Sequence, residues 1–260
     1  MSIQTEPDLH IYFNASALAA AAAERIADIA ERAFSQTGRF ILGLAGGNTP
    51  RLTYELLTDR RYKPVIDWGS VQVFWGDERC VAPIHHDSNY RMARQALLDH
   101  VDVPAPHIHR IHGELPPQDA ADHYERELRT YFEGRTGTKA QFDLLILGLG
   151  ADGHTASLFP HTAALRETKR WVVAHEVAGI EPSWRVTLTP SAINAAKRVF
   201  FLVSGADKAD ALKSVLSAPF QPDNFPAQLV RPASGRVTWI VDEAAAAKYR
   251  PPLQIDSITG

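Results

Sequence analysis

The stretch Phe142–Pro160, FDLLILGLGADGHTASLFP, decides how the chain folds. It opens with a short apolar run, Phe142–Leu147, which reads as a strand buried on both faces. It then changes abruptly to Gly148-Leu149-Gly150-Ala151-Asp152-Gly153-His154-Thr155, a glycine-rich polar loop. A buried strand that stops in such a loop is the unit of an open parallel sheet, where ligands collect beyond the carboxyl ends of the strands. Working outward, Phe40–Leu44, Val71–Trp75, Val199–Val203 and Val237–Val241 have the same form, and Trp171–Val173 and Arg185–Leu188 are weaker strands. Three of these runs also lead into chemically rich loops. They are Ala45-Gly46-Gly47-Asn48-Thr49-Pro50, Gly76-Asp77-Glu78-Arg79 and Ser204-Gly205-Ala206-Asp207-Lys208.

Helical spacing fills the gaps between strands. Ile26, Ile29, Ala30, Ala33 and Phe34 share one helix face, with Ser16 as the expected N-cap. Tyr124, Leu128, Tyr131 and Phe132 mark a second helix, and Ala209, Leu212, Val215 and Leu216 a third. Ala244–Lys248 is a short alanine-rich fourth. Strands alternating with helices predict an α/β fold with a mostly parallel, doubly wound sheet. No repeat or linker divides the 260 residues, and Pro116-Pro117 and Pro251-Pro252 are punctuation only, so one domain spanning 1–260 is expected.

The chain is 45% hydrophobic and 22% charged, enough to bury a core, and its net charge is −3. No basic field draws nucleic acid or an anionic membrane, so neither is an expected partner. Met1–Asn14 lacks the apolar run of a signal peptide, and Ala19–Ala23 leads into Glu24 and Arg25, so it reads as helix and not as a membrane span. The lone Cys80 excludes an intramolecular disulfide and reads as a small strand-end residue, although Arg79 beside it also fits an activated thiol. A cytoplasmic location is expected.

The four loops bring distinct chemistry to one sheet edge. Gly46-Gly47-Asn48-Thr49-Pro50 suits a strand-to-helix turn with Thr49 as N-cap and Pro50 at the first helical position; such a turn binds an anion or is simply a tight turn. Arg79 can grip a phosphate with two parallel hydrogen bonds, with Asp77 or Glu78 to orient it, or it lies in a solvated turn. His154, at the end of this glycine-rich loop, is placed for general-base work, with Asp152 to orient the ring; the plain alternative is a histidine satisfied by backbone. Thr155-Ala156-Ser157 is expected to begin a helix whose N–H groups meet developing negative charge. Lys208 at the start of a helix opposes the helix dipole, a conflict that a bound phosphate relieves. His107, His109, His112 and the His85-His86 pair show no HExxH or Cys/His spacing, so no metal site is expected and a polar loop is the reading for the first three.

Beyond these readings, FDLLILGLGADGHTASLFP at 142–160 resembles the signature of the 6-phosphogluconolactonase family. LAGGNTP at 44–50, FWGDER at 74–79, DSNYRM at 87–92, RVTLT at 185–189, SGADK at 204–208 and PAQLVRP at 226–232 follow in the family's order, so the resemblance covers nearly the whole chain. The family often carries serine where Asn48 stands. The related glucosamine-6-phosphate deaminases continue after the histidine to Asn-Glu-Pro, whereas this chain has Leu158-Phe159-Pro160, and they usually have tyrosine in place of Arg79. The resemblance implies a modified Rossmann-like sheet with helices on both faces, and hydrolysis of a sugar-phosphate lactone in the oxidative pentose phosphate pathway. It implies no metal and no organic cofactor. Carried over by position, His154 is the base, with Asp152 beside it, and Arg79 and Lys208 hold the phosphate. Gly46, Gly47, Asn48 and Thr49 line the cradle, and Asp77 and Arg185 form the site wall. A monomer or weak homodimer is expected. The alternatives are a sugar-phosphate isomerase or deaminase, and a non-catalytic sugar-phosphate sensor.

Overall fold

A computed structural model describes residues 7–137 and 139–249; Pro251-Pro252 and the start of the Met1–Asn14 stretch lie outside the described residues. In chain order the elements are β1 (Asp8–Tyr12), α1 (Ala15–Thr37), β2 (Phe40–Leu44), α2 (Asn48–Leu57), β3 (Val71–Trp75), β4 (Asp77–Arg79), α3 (Asn89–Ala96) and α4 (Pro117–Thr136). They continue with β5 (Leu144–Leu147), β6 (Val172–Glu176), β7 (Trp184–Leu188), α5 (Pro190–Ile193), β8 (Arg198–Val203), α6 (Ala209–Ser217), β9 (Arg236–Asp242) and α7 (Glu243–Ala246).

The five strong apolar runs all become strands of one six-stranded sheet, ordered β1-β9-β8-β5-β2-β3, with every neighbouring pair parallel. β2 and β5 are buried at every residue, and β8 at all but its first, because helices cover both faces of the sheet. α1 fits closely because its inward stripe is built largely of alanine: Ala19, Ala22, Ala23, Ala30 and Ala33 are buried beside Leu18, Ile26 and Ile29. Its cap is Asn14, not Ser16; the Asn14 side chain accepts the Ala17 N–H at 2.9 Å. Gly38 ends the helix at φ 69°, a left-handed position that glycine adopts without strain. No helix among the described residues is long and apolar enough to cross a membrane.

β2 is followed in the sheet by β3 on one side, while β5 enters on the other, so the strand order reverses at β2 and β5. The loops leaving these two strands diverge there and open a crevice. Buried tyrosines finish the strands at this edge. The Tyr54 hydroxyl donates to the Ala45 carbonyl at 3.0 Å and accepts the Ala45 N–H at 2.9 Å, and Tyr124 does the same for Trp75 at 2.9 Å in both directions. Each hydroxyl satisfies a backbone pair where the sheet ladder runs out.

Four elements, β1, β4, α3 and α5, carry no clear mark in the sequence, and others have different bounds. β1 is half-exposed at the sheet edge and alternates polar with apolar residues. β4 consists of three charged residues, and it forms because β7 pairs with it antiparallel; β6 extends that second sheet in the order β4-β7-β6. The weak runs at 171–173 and 185–188 therefore belong to this small antiparallel sheet. Gly76 joins the two sheets: its N–H donates to the Leu44 carbonyl at 2.9 Å, and its own carbonyl accepts from Leu188 at 2.8 Å. α3 was read only as part of a motif. β5 begins at Leu144 and not at Phe142, because the Asp143 carboxylate takes over the ladder, accepting from Ile41 N–H at 2.9 Å and from Lys197 Nζ at 2.7 Å.

Candidate active site

The loops after β2, β3, β5 and β8 meet around a cavity of about 450 Å³ at the reversal point. Gly46, Gly47, Asn48, Thr49, Asp77, Arg79, His154 and Lys208 all line it. Of the expected site residues, Asp152 and Arg185 stand outside the lining. Asn89, Leu149 and Ser204 line it with no role expected of them. Of these, Asn89 was legible, since it sits in the quoted DSNYRM stretch; the others present ordinary small or apolar side chains with no chemical signal.

The glycine loop becomes the N-terminus of α2. The helix starts at Asn48 with Gly47 as its cap, so Thr49 is not the N-cap and Pro50 is its third residue. Gly47 has φ 99° and no side chain, so the first-turn N–H groups lack a side-chain acceptor. That leaves the helix end suited to an anion. At Gly46 a Cβ would fall 1.9 Å from Asn89 Oδ1, so glycine is obligatory. Asn89 is fixed from the other side, where its Nδ2 donates to the Asp77 carbonyl at 2.9 Å and to Asp77 Oδ1 at 3.3 Å.

Charged β4 is held by α3. Glu78 is 2% exposed and accepts the N–H groups of Arg79 at 2.8 Å, Asn89 at 2.7 Å and Tyr90 at 2.8 Å, with the Ser88 hydroxyl at 3.0 Å. Burial pushes its carboxyl up to about 7, against the lowering effect of those hydrogen bonds. Arg79 extends to the cavity and donates Nη1 to the Asp87 carbonyl at 2.6 Å. Arg185 stands directly across from Arg79 in the β4–β7 register, is 4% exposed, and gives its guanidinium to the Pro182 and Trp184 carbonyls. Burial, then the charge of Arg79, lowers its pKa.

His154 is aimed by its neighbours. Its Nδ1 lies 2.5 Å from Asp152 Oδ1, which also accepts the His154 N–H at 3.1 Å. Burial pushes the Asp152 carboxyl up, but the His154 hydrogen bond and charge outweigh it and hold the carboxyl below its ordinary range. An ionised carboxylate only accepts, so Nδ1 carries a proton, and in the neutral ring the lone pair is then on Nε2. Phe159, 7% exposed, stacks on the imidazole with ring centres 4.1 Å apart. A Cβ on Gly150 would fall 2.0 Å from His154 Nδ1, so glycine lets the loop fold over its own histidine. The PAQLVRP stretch braces this loop: the Ala227 N–H donates to the Gly153 carbonyl at 3.0 Å, and buried Gln228 gives its Nε2 to carbonyls at the end of α6.

One expectation fails here. Thr155-Ala156-Ser157 starts no helix; Ala156 has φ 49°, and Thr155 bridges to Leu158 in a tight turn. Ser157 is 1% exposed, lies outside the cavity lining and donates its hydroxyl to Asp77 Oδ2 at 2.7 Å, so it ties two loops together. Lys208 does stand at the start of α6, where Asp207 pairs with its Nζ at 3.0 Å and eases the conflict with the helix dipole. His109 lies in a loop, as read from the sequence, with its ring turned inward. It stacks on Phe74 with ring centres 4.2 Å apart, and its two nitrogens face Glu127 and Gln72. Cys80, with its thiol pushed up to about 11 by burial, fits the plain reading.

Residues 14–239 match the family model described as glucosamine-6-phosphate isomerases/6-phosphogluconolactonase. The chain is 42% identical over 221 residues to the 6-phosphogluconolactonase of Synechocystis, covering 85% of this chain and 89% of that one. It is 39% identical over 234 residues to that of Nostoc, covering 90% and 94%. The solved structure of 6-phosphogluconolactonase from Trypanosoma brucei superposes with a TM-score of 0.80 at 30% identity, over 94% of this chain and 99% of that one. A monomeric glucosamine-6-phosphate deaminase superposes with a TM-score of 0.77 at 21% identity, over 93% and 99%, which is a likeness of fold alone.

Proposed function

The chain belongs to the glucosamine-6-phosphate isomerase/6-phosphogluconolactonase family, and from that premise we propose that it hydrolyses 6-phospho-D-glucono-1,5-lactone to 6-phosphogluconate, as in the oxidative pentose phosphate pathway. One observation carries the reading: a histidine with Nδ1 engaged by a carboxylate and Nε2 open shares its cavity with Arg79 and Lys208.

The phosphate is held by Arg79, Lys208 and the uncapped end of α2, with Gly46, Gly47, Asn48 and Thr49 as the cradle. Asp77 holds the cavity wall through Ser157 and Asn89, and Arg185 adds positive charge behind Arg79. His154 Nε2 takes a proton from water, and the resulting hydroxide bonds to the lactone carbonyl carbon. Asp152 stabilises the imidazolium that forms. The tetrahedral oxyanion collapses, the bond from carbon to ring oxygen breaks, and His154 returns its proton to that oxygen. Water is thus added across one ester bond, giving a carboxylic acid and a hydroxyl on the same molecule. The carbonyl is already an activated ester, so the chemistry needs no metal or organic cofactor. The working protein is one domain, a cytoplasmic monomer or weak homodimer without nucleic-acid or membrane partners.

The test is acid release from the lactone in the presence of EDTA, corrected for spontaneous hydrolysis, beside ammonia release from glucosamine 6-phosphate. Enzymatic acid release without ammonia is expected. Ammonia at a comparable rate overturns the assignment in favour of the deaminase chemistry.

A further inference from the structure

The loop between β4 and α3 carries His85-His86-Asp87, whose side chains the hydrolytic chemistry leaves unused. Each offers one ligand atom, and the three atoms lie within 4.8 Å of one another. Asp87 Oδ2 stands 3.2 Å from His86 Nε2 and 3.7 Å from His85 Nδ1. Ligands about 2.1 Å from a tetrahedral ion are about 3.4 Å from each other. The two measured separations bracket that value before any ion draws the loop in. The side chains are 38%, 76% and 37% exposed in chain order, which gives an ion an entry path and leaves room for water to complete its coordination.

We propose that His85, His86 and Asp87 bind a divalent first-row transition ion of the zinc class, outside the reaction centre. Two imidazoles with one carboxylate suit zinc, cobalt or nickel better than magnesium or calcium, which prefer all-oxygen shells. Binding replaces the weak bond in which His85 Nδ1 accepts the Asp87 N–H at 3.2 Å. The ion then tethers Asp87, whose carbonyl holds Arg79 Nη1 at 2.6 Å. The site therefore bears on the arm that grips the phosphate, a link that rests on the phosphate role given to Arg79 above.

Tag-free, EDTA-stripped protein is titrated with Co²⁺ by calorimetry and visible absorption, with Zn²⁺ as competitor. The wild type should take up one Co²⁺ that Zn²⁺ displaces. His86→Ala should bind at least tenfold more weakly, and the double variant His85→Asn/His86→Ala should lose that uptake. No uptake by the wild type, or equal uptake by the double variant, overturns the site. Saturating Zn²⁺ should also change KM for the phosphorylated lactone in the wild type and not in the double variant. An unchanged wild-type KM with the ion bound overturns the link to Arg79. Metal uptake is read without turnover, so a failure of the lactonase reading stays distinguishable from a failure of the metal site.

Discussion

At the scale of single residues, the proposed mechanism gives the cations and the histidine different work. Arg79 and Lys208 both line the cavity, while His154 is oriented by Asp152 in front and Phe159 behind. A hydrogen bond to a charged group contributes about 1.5–3 kcal/mol, so Arg79→Ala or Lys208→Ala should each lower kcat/KM by about 10- to 100-fold. The loss should nearly vanish with unphosphorylated gluconolactone; an equal loss on both substrates would show that these residues do not read the phosphate. Phe159→Leu removes a ring stack worth about 0.5–1.5 kcal/mol, so kcat should fall about 2- to 10-fold while 6-phosphogluconate binding holds. Tyrosine at the same position should restore the rate, and unchanged kcat in the leucine variant would remove Phe159 from the positioning of His154. The placement of His154, Arg79 and Lys208 around one cavity was readable because their loops follow clear strands and match a family pattern. That of Phe159 was not, because nothing in a run of apolar residues says which ring will lie on the imidazole.

At the scale of elements, strands and helices differ in how openly the sequence announces them. Phe40–Leu44 and Val71–Trp75 begin and end where their apolar runs do, since two-sided burial leaves no other pattern to read. Asp77-Glu78-Arg79 could not be read as a strand, because its charges are satisfied only after distant parts arrive: Ser157 and Asn89 at Asp77, and the start of α3 at Glu78. Thr155–Ser157 offered helix-like composition, but the Ala156 turn and the pull of Asp77 on Ser157 prevailed. The junction at Glu78 has a pH signature. The unfolded chain releases this proton near the ordinary 4.5, whereas the folded chain holds it to about 7. The folded state binds more protons in between, so stability should fall as pH rises through that window. Urea unfolding of wild type and Glu78→Gln across pH 4.5–7.5 isolates this contribution. The stability of the wild type relative to Glu78→Gln should fall toward the alkaline end, and a difference independent of pH would mean that Glu78 stays ionised throughout.

At the scale of the whole molecule, the fold does not choose the reaction, since a deaminase at 21% identity shares it with a TM-score of 0.77. The proposed choice rests on what the loops present at the reversal point: a histidine held by Asp152, and the two cations Arg79 and Lys208. The parallel sheet and its loop cluster were legible because buried strands and glycine-rich ends leave local marks. The small antiparallel sheet was less so, since it depends on pairing between segments about a hundred residues apart. The proposed mechanism rests on His154 as the base. Single-turnover hydrolysis of the lactone by His154→Ala, corrected for the spontaneous rate and run beside a titration with 6-phosphogluconate, tests that most directly. The chemical step should fall by about 100- to 10,000-fold with product binding intact. A variant that turns over near the wild-type rate would contradict a mechanism built on His154.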